Sequence, residues 1–336
     1  MTETTDPRTL DGHDIDGRVS QWKITGAEPL PAAGRLAATR VHLADGATYV
    51  LRSPRGRADE QARRALDNEI RVLARLTLAF GTWRPRPFPA LIGYDMDSSE
   101  PWALVGDYRG IPAREATAAL LGTGLMEFTG GLFEALAHLP LAEVVHGGIG
   151  LDTVYVSDGR IQLVSFDDAG LIGEPGPRRS GPMAPDQDML ASGLLLYEVF
   201  TGTPASSTRP DLSDVPLLAS QLPDLFAERR ARPSAVAVME RLGRRDFPSV
   251  DGPDELDAGR AAFEEARRRK LPPEPPTVRT RSVPPPARPV RAVAVPPSAS
   301  PPKSSPTSRS TVVLLTIGVL LVLAAVAYFA LEGMPW

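Results

Sequence analysis

The sequence predicts an α+β protein with two lobes, a small β-rich lobe followed by a larger helical lobe, and a single transmembrane helix beyond them. Short stretches of alternating polarity broken by turn residues fill the first third of the chain, which is typical of antiparallel strands. Helical periodicity and a strongly apolar helix dominate the middle of the chain. Residues 311–331 form a stretch of 21 residues without a charge, which is long enough to cross a bilayer.

The chain is predicted to consist of six segments. They are a disordered N-terminus (1–17), a β-rich lobe (18–110), a helical lobe (111–270), a Pro-rich basic linker (271–310), the transmembrane helix (311–331) and a short extracytoplasmic tail (332–336). The linker carries 13 Pro, six Lys or Arg and one Glu, so we expect an extended spacer. Because this basic flank precedes the apolar stretch, the positive-inside tendency predicts a single-pass protein of the cell membrane with a cytoplasmic N-terminal domain.

Composition excludes several classes of function. The net charge of −4, from 37 basic and 41 acidic residues, argues against a nucleic-acid partner, which favours a basic surface. The chain has no cysteine, which excludes disulfides, thiolate metal sites and a cysteine nucleophile. The four histidines, at 13, 42, 138 and 146, are too widely separated to show metal-ligand spacing.

The β-rich lobe shows three features in order. Residues 22–52 alternate in polarity around a turn at Ala44-Asp45-Gly46, which predicts a hairpin or meander. Residues 57–78 place leucines and an isoleucine at three- and four-residue intervals, which predicts a helix. Residues 101–108 indicate a buried strand, which Gly110 and Pro112 end.

The helical lobe contains one loop that interrupts the helices. A helix covering 132–139 precedes the stretch HGGIGLDTVYVSDGRIQLVSFDDAG at 146–170, which reads as a loop followed by two strands joined at Asp158-Gly159. Residues 188–200 are apolar on almost every face, which predicts a buried helix too short to cross a membrane. Further helix is expected from 212 to 270.

Five stretches, in this order along residues 20–245, resemble the protein-kinase family. They are LDNEIRVLARL (66–76), ALVGDYRG (103–110), the loop and strands at 146–170, DMLASGLLLYEVFTGTP (188–204) and ARPSAVAVMERL (231–242). They resemble the helix of the small lobe, the strand before the hinge, the catalytic loop with its metal-binding turn, the central buried helix and a late helix. The resemblance implies the bilobal fold of a Ser/Thr protein kinase.

The same resemblance places the groups that phosphoryl transfer requires, and four of them are replaced. The catalytic base falls on Gly148, and the asparagine that binds the second Mg²⁺ falls on Thr153. The metal-binding Asp of the Asp-Phe-Gly turn falls on Ser165. The strand lysine falls on Arg52, and no lysine occurs between 24 and 269 to replace it. The resemblance therefore predicts no catalytic residue and no metal site.

Other positions of the family pattern are retained in part. The phosphate loop keeps one glycine, Gly34, so Gly34, Arg52 and Glu69 outline a possible nucleotide cleft in which ATP binding would be weak or independent of Mg²⁺. A salt bridge between Arg52 and Glu69 is expected mainly to fix the helix. His146 and Asp188 are assigned structural roles, with Asp188 accepting backbone N–H groups of the 146–150 loop.

The predicted function is that of a membrane-anchored pseudokinase, which acts through an unidentified protein partner in a signalling pathway as a scaffold or allosteric regulator. The alternative is a divergent Ser/Thr kinase with residual ATP-dependent activity. In that alternative a strand slip of three residues lets Asp167 or Asp168, with Asp152 nearby, hold a metal. A hydrolase is disfavoured, although His146 begins a His-Gly-Gly sequence, because the chain lacks a Gly-x-Ser-x-Gly nucleophile motif.

Overall fold

Six antiparallel strands close into a barrel at the N-terminal end of the computed structural model, which describes residues 8–32, 34–56, 59–81, 87–120, 123–177, 181–244 and 253–270. The strands are β1 (Arg8–Asp14), β2 (Val19–Leu30), β3 (Leu36–Leu43), β4 (Thr48–Pro54), β5 (Leu91–Asp95) and β6 (Trp102–Gly106). Their order around the barrel is β1-β2-β3-β4-β6-β5. Pairing of β1 with both β2 and β5 closes the circle. The predicted meander over 22–52 and the strand within 101–108 are both confirmed.

The prediction that residues 1–17 are disordered is wrong for β1. This strand pairs with β2 in the register Arg8↔Ile24, and Leu10 is buried inside the barrel. The segment is polar and short, so it carries no amphipathic pattern of its own. Its order comes from the hydrogen-bonding edges that β2 and β5 offer to it. The β-rich part of the chain therefore begins at Arg8 and not at residue 18.

Two tryptophans fill the barrel because two glycines make room for them. The rings of Trp22 and Trp102 meet edge to face, with centroids 5.5 Å apart. A Cβ atom on Gly93 would lie 2.3 Å from the Trp22 ring, and one on Gly12 would lie 2.8 Å from the Trp102 ring. Neither position accepts a larger residue without displacing an indole, so these glycines permit the packing inside the barrel.

Helix α1 (Glu60–Phe80) lies between β4 and β5 in the chain and packs on the barrel from outside. The Asp59 carboxylate caps its first turn by accepting the Ala62 N–H at 2.7 Å. Its buried face, which includes Leu66, Leu73 and Leu76, joins the main hydrophobic core. The helix predicted over 57–78 is confirmed, with its start moved to the residue that follows the cap.

The rest of the described chain is mainly helical, and the α+β class is confirmed. Its helices are α2 (Ala113–Leu120), α3 (Thr123–His138), α4 (Pro185–Thr201), α5 (Pro216–Gln221), α6 (Ala235–Arg241) and α7 (Pro253–Lys270). Its short strands are β7 (Ile111–Pro112), β8 (Val144–Val145), β9 (Val154–Ser157), β10 (Arg160–Leu163) and β11 (Gly170–Leu171). Single 3-10 turns cover Leu139–Ala142, Phe166–Asp168, Pro223–Phe226 and Arg229–Ala231.

Two predictions for this part are sharpened by the structure. The two strands joined at Asp158-Gly159 form as predicted, with Arg160 paired to Ser157. The further helix expected from 212 to 270 comes in separate elements, α5, α6 and α7, and the last of them, α7, packs against α1. A helix predicted to belong to the helical lobe thus contacts the β-rich part.

Three predicted segments lie outside the described residues: the linker 271–310, the transmembrane helix 311–331 and the tail 332–336. Within the described residues, no helix combines the length and the apolar character that a membrane span requires.

Candidate functional site

The cleft between the barrel and the helical part contains the buried pair predicted from the sequence. Arg52 on β4 donates from Nε to Glu69 Oε1 and Oε2 on α1 at 3.0 and 3.1 Å, and from Nη2 to Oε2 at 3.1 Å. Both side chains are completely buried. Although burial opposes the charged form, the Glu69 carboxylate raises the pKa of Arg52 above its usual value. A fourth donation, from Arg52 Nη1 to the Ala37 carbonyl, ties this pair to β3.

The loop after β8 is held by two side chains that lie where the sequence predicted. Asp188 accepts the His146 N–H at 2.7 Å and the Gly147 N–H at 2.8 Å. The His146 ring donates from Nε2 to the Val164 carbonyl at 3.0 Å, and its Nδ1 accepts the Gly148 N–H at 3.2 Å. These contacts require the neutral imidazole with its proton on Nε2. Burial lowers the pKa of His146 to about 4, which agrees with that assignment.

Gly147 of this loop allows Asp168 to approach it. Gly147 has a φ of 73°, and a Cβ atom there would lie 2.4 Å from the Asp168 carbonyl oxygen. A Cβ atom on Gly148 would lie 3.5 Å from Asp168 Oδ2. The Asp168 carboxylate therefore stands beside the position at which the resemblance places the missing base. Gly148 itself presents no group that could accept a proton.

The Thr153 hydroxyl is engaged by the backbone of the same loop. It lies 2.7 Å from the Gly148 carbonyl, to which it donates, and it accepts the Gly150 N–H at 2.9 Å. A hydroxyl used in both directions has little capacity left for a metal ion. Ser165, at the third altered position, is buried and adopts a left-handed backbone with a φ of 62°.

Gly34 lies against a carboxylate rather than an open phosphate site. Asp167 Oδ2 accepts the Arg35 N–H at 3.3 Å, and a Cβ atom on Gly34 would lie 2.2 Å from the same oxygen. The Asn68 amide donates to the Asp167 carbonyl at 3.5 Å. The loop between β2 and β3 is thus drawn down onto the turn that follows β10. An anionic phosphate placed here would face the Asp167 carboxylate.

Two tyrosines that the sequence analysis did not single out occupy the cleft. The rings of Tyr108, which follows β6, and Tyr155, on β9, meet edge to face with centroids 5.2 Å apart. Both are buried, and the Tyr155 hydroxyl donates to the Pro31 carbonyl at 3.4 Å. Tyr155 therefore bridges the floor of the cleft and the loop above it. Two bulky aromatics, one just after a strand and one within a strand, were the available signal in the sequence.

A charged bridge closes the same region from the side of the β6 connection. Arg40 on β3 donates from Nε to Asp107 at 2.9 Å and from Nη1 to Glu28 at 2.9 Å. Its Nη2 also approaches the Tyr108 carbonyl at 3.4 Å. One guanidinium thus joins two strands of the barrel to the segment that enters the helical part. This bridge and the Tyr155 contact therefore link the barrel to the helical part at two points.

One cavity of about 330 Å³ remains beside the altered loop. It is lined by most of the predicted positions, namely Gly34, Gly148, Thr153, Ser165, Asp167 and Asp168. Arg52 and Glu69 are not among its lining residues. Asp152 pairs with Arg114 at 2.6 Å. In the part of the chain that the structure describes, no group of three or more His, Asp or Glu side chains is placed to hold a metal ion.

Comparison with known proteins gives a partial similarity to a kinase. No family model matches the chain. The chain is similar to "Serine/threonine-protein kinase PAK 4" from Mus musculus, with 26% identity over 133 residues, which cover 34% of this chain and 22% of that protein. The chain therefore matches only about a fifth of the length of this curated relative. The similarity supports a kinase-like relation and leaves the activity of this chain open.

Proposed function

We propose that this chain is a kinase-like pseudoenzyme that acts by binding a protein partner, as a scaffold or allosteric regulator, with little or no phosphotransfer. The observation that carries the proposal is the tyrosine contact across the cleft, in which Tyr108 and Tyr155 pack together and Tyr155 reaches Pro31. Ligand sites are clefts that enclose the ligand, so side chains packed across the cleft compete with a nucleotide for space. The order of strands and helices supports a bilobal kinase-like arrangement.

The chemistry of the altered positions supports the same proposal. Phosphoryl transfer depends on a positioned base and on metal ions that neutralise the phosphates. Gly148 has no side chain, and the Thr153 hydroxyl is used by its own loop. Each missing group removes a rate factor of roughly 10² or more. A fold that keeps its buried contacts without its catalytic groups suits a binding role.

The alternative, a divergent kinase with residual activity, is favoured by one observation. Asp167 and Asp168 both line the cavity beside Gly148, so a carboxylate stands close to the position of the missing base. A cation between these two carboxylates could begin a metal site. Activity by this route requires the two tyrosines to leave the cleft.

Nucleotide binding separates the two candidates. The full chain is titrated with ATP, with and without Mg²⁺, while its thermal unfolding is followed. We expect no saturable shift of the unfolding temperature in either condition. A saturable Mg²⁺-dependent shift that is lost in both Asp167→Asn and Asp168→Asn would support the divergent kinase and reject the proposal.

The proposed location is the cell membrane, with the N-terminal domain in the cytoplasm. It rests on the apolar stretch 311–331 and on the six basic residues in front of it. Protease added to intact cells should leave residues 1–310 uncut, whereas permeabilised cells should lose them. Cleavage of that domain in intact cells would contradict this topology. Cross-linking in the native membrane, compared between the full chain and a chain ended at 310, then identifies partners that depend on the anchor.

A further inference from the structure

Helix α7 approaches α1 until their backbones touch. A Cβ atom on Gly259 would lie 2.6 Å from Ala79 Cα and 2.6 Å from the Leu78 carbonyl oxygen. Only glycine at 259 permits this distance, because any side chain would enter the α1 backbone. Leu256 and Phe263 lie one turn to either side of Gly259 and are both buried. The contact is therefore a close helix–helix packing that requires glycine at position 259.

Helix α7 supplies part of the surroundings of the buried Arg75 side chain on α1. Arg75 is buried and donates from Nε to the Ala142 carbonyl at 2.5 Å. It pairs with Glu143 and, at 3.2 Å, with Glu264 of α7. Its guanidinium also lies over the Phe263 ring, 5.3 Å from the centroid. Removing α7 would take away one of two carboxylates and the aromatic cover of a buried cation.

The same α1 helix carries the contacts of the cleft. Glu69 holds Arg52, and Asn68 reaches the Asp167 carbonyl. Arg71 pairs with Glu174, in the segment after β11, at 2.6 Å. A helix moves as a rigid unit, so a displacement at Ala79 shifts these three contacts as well.

The exposed side of α7 favours a helix that survives release. Ion pairs within the helix join Arg267 to Glu264 at 3.7 Å, and Arg268 and Arg269 to Glu265 at 3.6 and 3.3 Å. Pairs at this spacing support a helix without help from a neighbour. The apolar contact is small, since Leu256 and Phe263 are its buried large side chains among the described residues of α7. A helix with internal ion pairs and a small apolar contact suits an element that dissociates from α1 and binds it again.

We propose that α7 is a regulatory clasp on α1: docked, it holds the cleft contacts in place, and released, it loosens α1 and the segment that Glu174 occupies. As a regulator of partner binding, the clasp rests on the proposed function. The contact between α7 and α1 does not depend on that function, because it is formed by the chain itself.

Hydrogen exchange of the full chain tests the clasp. Gly259→Val drives a side chain into α1, whereas Ala262→Val places the same side chain on the exposed face of α7. In Gly259→Val we expect at least about tenfold faster exchange in α7, in α1 and in residues 170–176. Strands β2 to β4 should keep the exchange of the wild type, and Ala262→Val should match the wild type throughout. Faster exchange in α7 with α1 unchanged would overturn the proposal, as would equal behaviour of the two variants.

A second variant covers the case in which Gly259→Val unfolds the whole domain. Glu264→Arg reverses the charge opposite Arg75 at a half-exposed position and adds no steric conflict with the α1 backbone. It should produce the same pattern of faster exchange in α1, and unchanged α1 exchange would refute the clasp. Nucleotide titration of the wild type remains a separate readout. Saturable Mg²⁺-dependent ATP binding that is lost in Asp167→Asn and Asp168→Asn would reject the proposed function and leave the clasp standing, whereas unchanged exchange in α1 would reject the clasp alone.

Discussion

Tyr155 stands between Tyr108 and the Pro31 carbonyl, with its ring 5.2 Å from the Tyr108 ring and its hydroxyl 3.4 Å from the carbonyl oxygen. The three groups come from β9, the segment after β6 and the loop after β2, so they join both sides of the cleft. Burial raises the pKa of Tyr108, which keeps its hydroxyl neutral. The two sides of the cleft are thus joined by this packing as well as by the Arg40 bridge.

Shortening Tyr155 should weaken the fold. Tyr155→Leu removes a buried ring and leaves a gap beside Tyr108, which should cost about 2 to 4 kcal/mol of unfolding free energy. Tyr155→Phe keeps the ring and loses only the long contact to Pro31, so it should cost less than about 1 kcal/mol. Urea unfolding of both variants measures the difference. Equal losses in the two variants would show that the hydroxyl, and not the ring, holds the cleft.

Breaking the buried ion pair should be far more costly than breaking an exposed one. Arg52→Met leaves the Glu69 carboxylate buried without its partner, which should cost about 3 to 5 kcal/mol. Arg64→Met removes an exposed partner of Glu60 on the same helix and should cost less than about 1 kcal/mol. Both values come from denaturant unfolding.

A double variant separates pairing from packing at this site. Arg52→Met combined with Glu69→Leu removes both charges, so it should recover most of the stability that Arg52→Met loses. If the loss of unfolding free energy in the double variant equals the sum of the losses in Arg52→Met alone and Glu69→Leu alone, the two side chains do not act as a pair.

Stability should fall as the pH is lowered through the titration range of unfolded histidine. The folded chain holds His146 neutral with a pKa of about 4, whereas the unfolded chain binds a proton near pH 6.5. The contribution of His146 to the unfolding free energy is therefore complete above pH 6.5. It is lost between pH 6.5 and 4, by about 1.4 kcal/mol for each pH unit. Burial also lowers the pKa of His138, so that residue acts in the same direction.

Unfolding free energies at pH 7.5 and 5.5 check this prediction. His146→Asn cannot bind a proton, so it should show a smaller pH dependence than the wild type, even though it is less stable at pH 7.5. An unchanged slope in this variant would mean that the imidazole is not neutral in the folded state. Protonation of His146 destabilises the folded loop, because it places an Nδ1–H donor opposite the Gly148 N–H donor.

The purified full chain should not transfer γ-phosphate to itself or to generic protein acceptors. The reason is the absence of a base at Gly148 and the engagement of Thr153 by its own loop. Radiolabelled ATP and Mg²⁺ provide the assay, with Asp167→Ala and Asp168→Ala as variants that remove the remaining carboxylates of the cavity. Transfer of labelled phosphate by the wild type that is absent in either variant would support the divergent kinase.

Local patterns in the sequence were sufficient for the elements that have a strong period or a turn. The helix of α1, the strands joined at Asp158-Gly159 and the burial of α4 follow from hydrophobic spacing and turn residues. The pairing of Arg52 with Glu69 was predicted through the family resemblance, and the structure brings the two side chains together. The same holds for Asp188 and the backbone of the 146–150 loop.

Contacts between distant parts of the chain were decided only by the tertiary structure. Strand β1 has no amphipathic pattern and is ordered by the edges of β2 and β5. The filling of the cleft depends on where Tyr108 and Tyr155 meet, and nothing in the spacing of two tyrosines 47 residues apart fixes that distance. The packing of α7 against α1 likewise depends on the absence of a side chain at Gly259, which faces Ala79. The sequence by itself determined which residue types stand at the positions that the resemblance compares, because identity at a position needs no geometry. How these positions are surrounded was decided by packing, which sums many long-range contacts that no local period encodes.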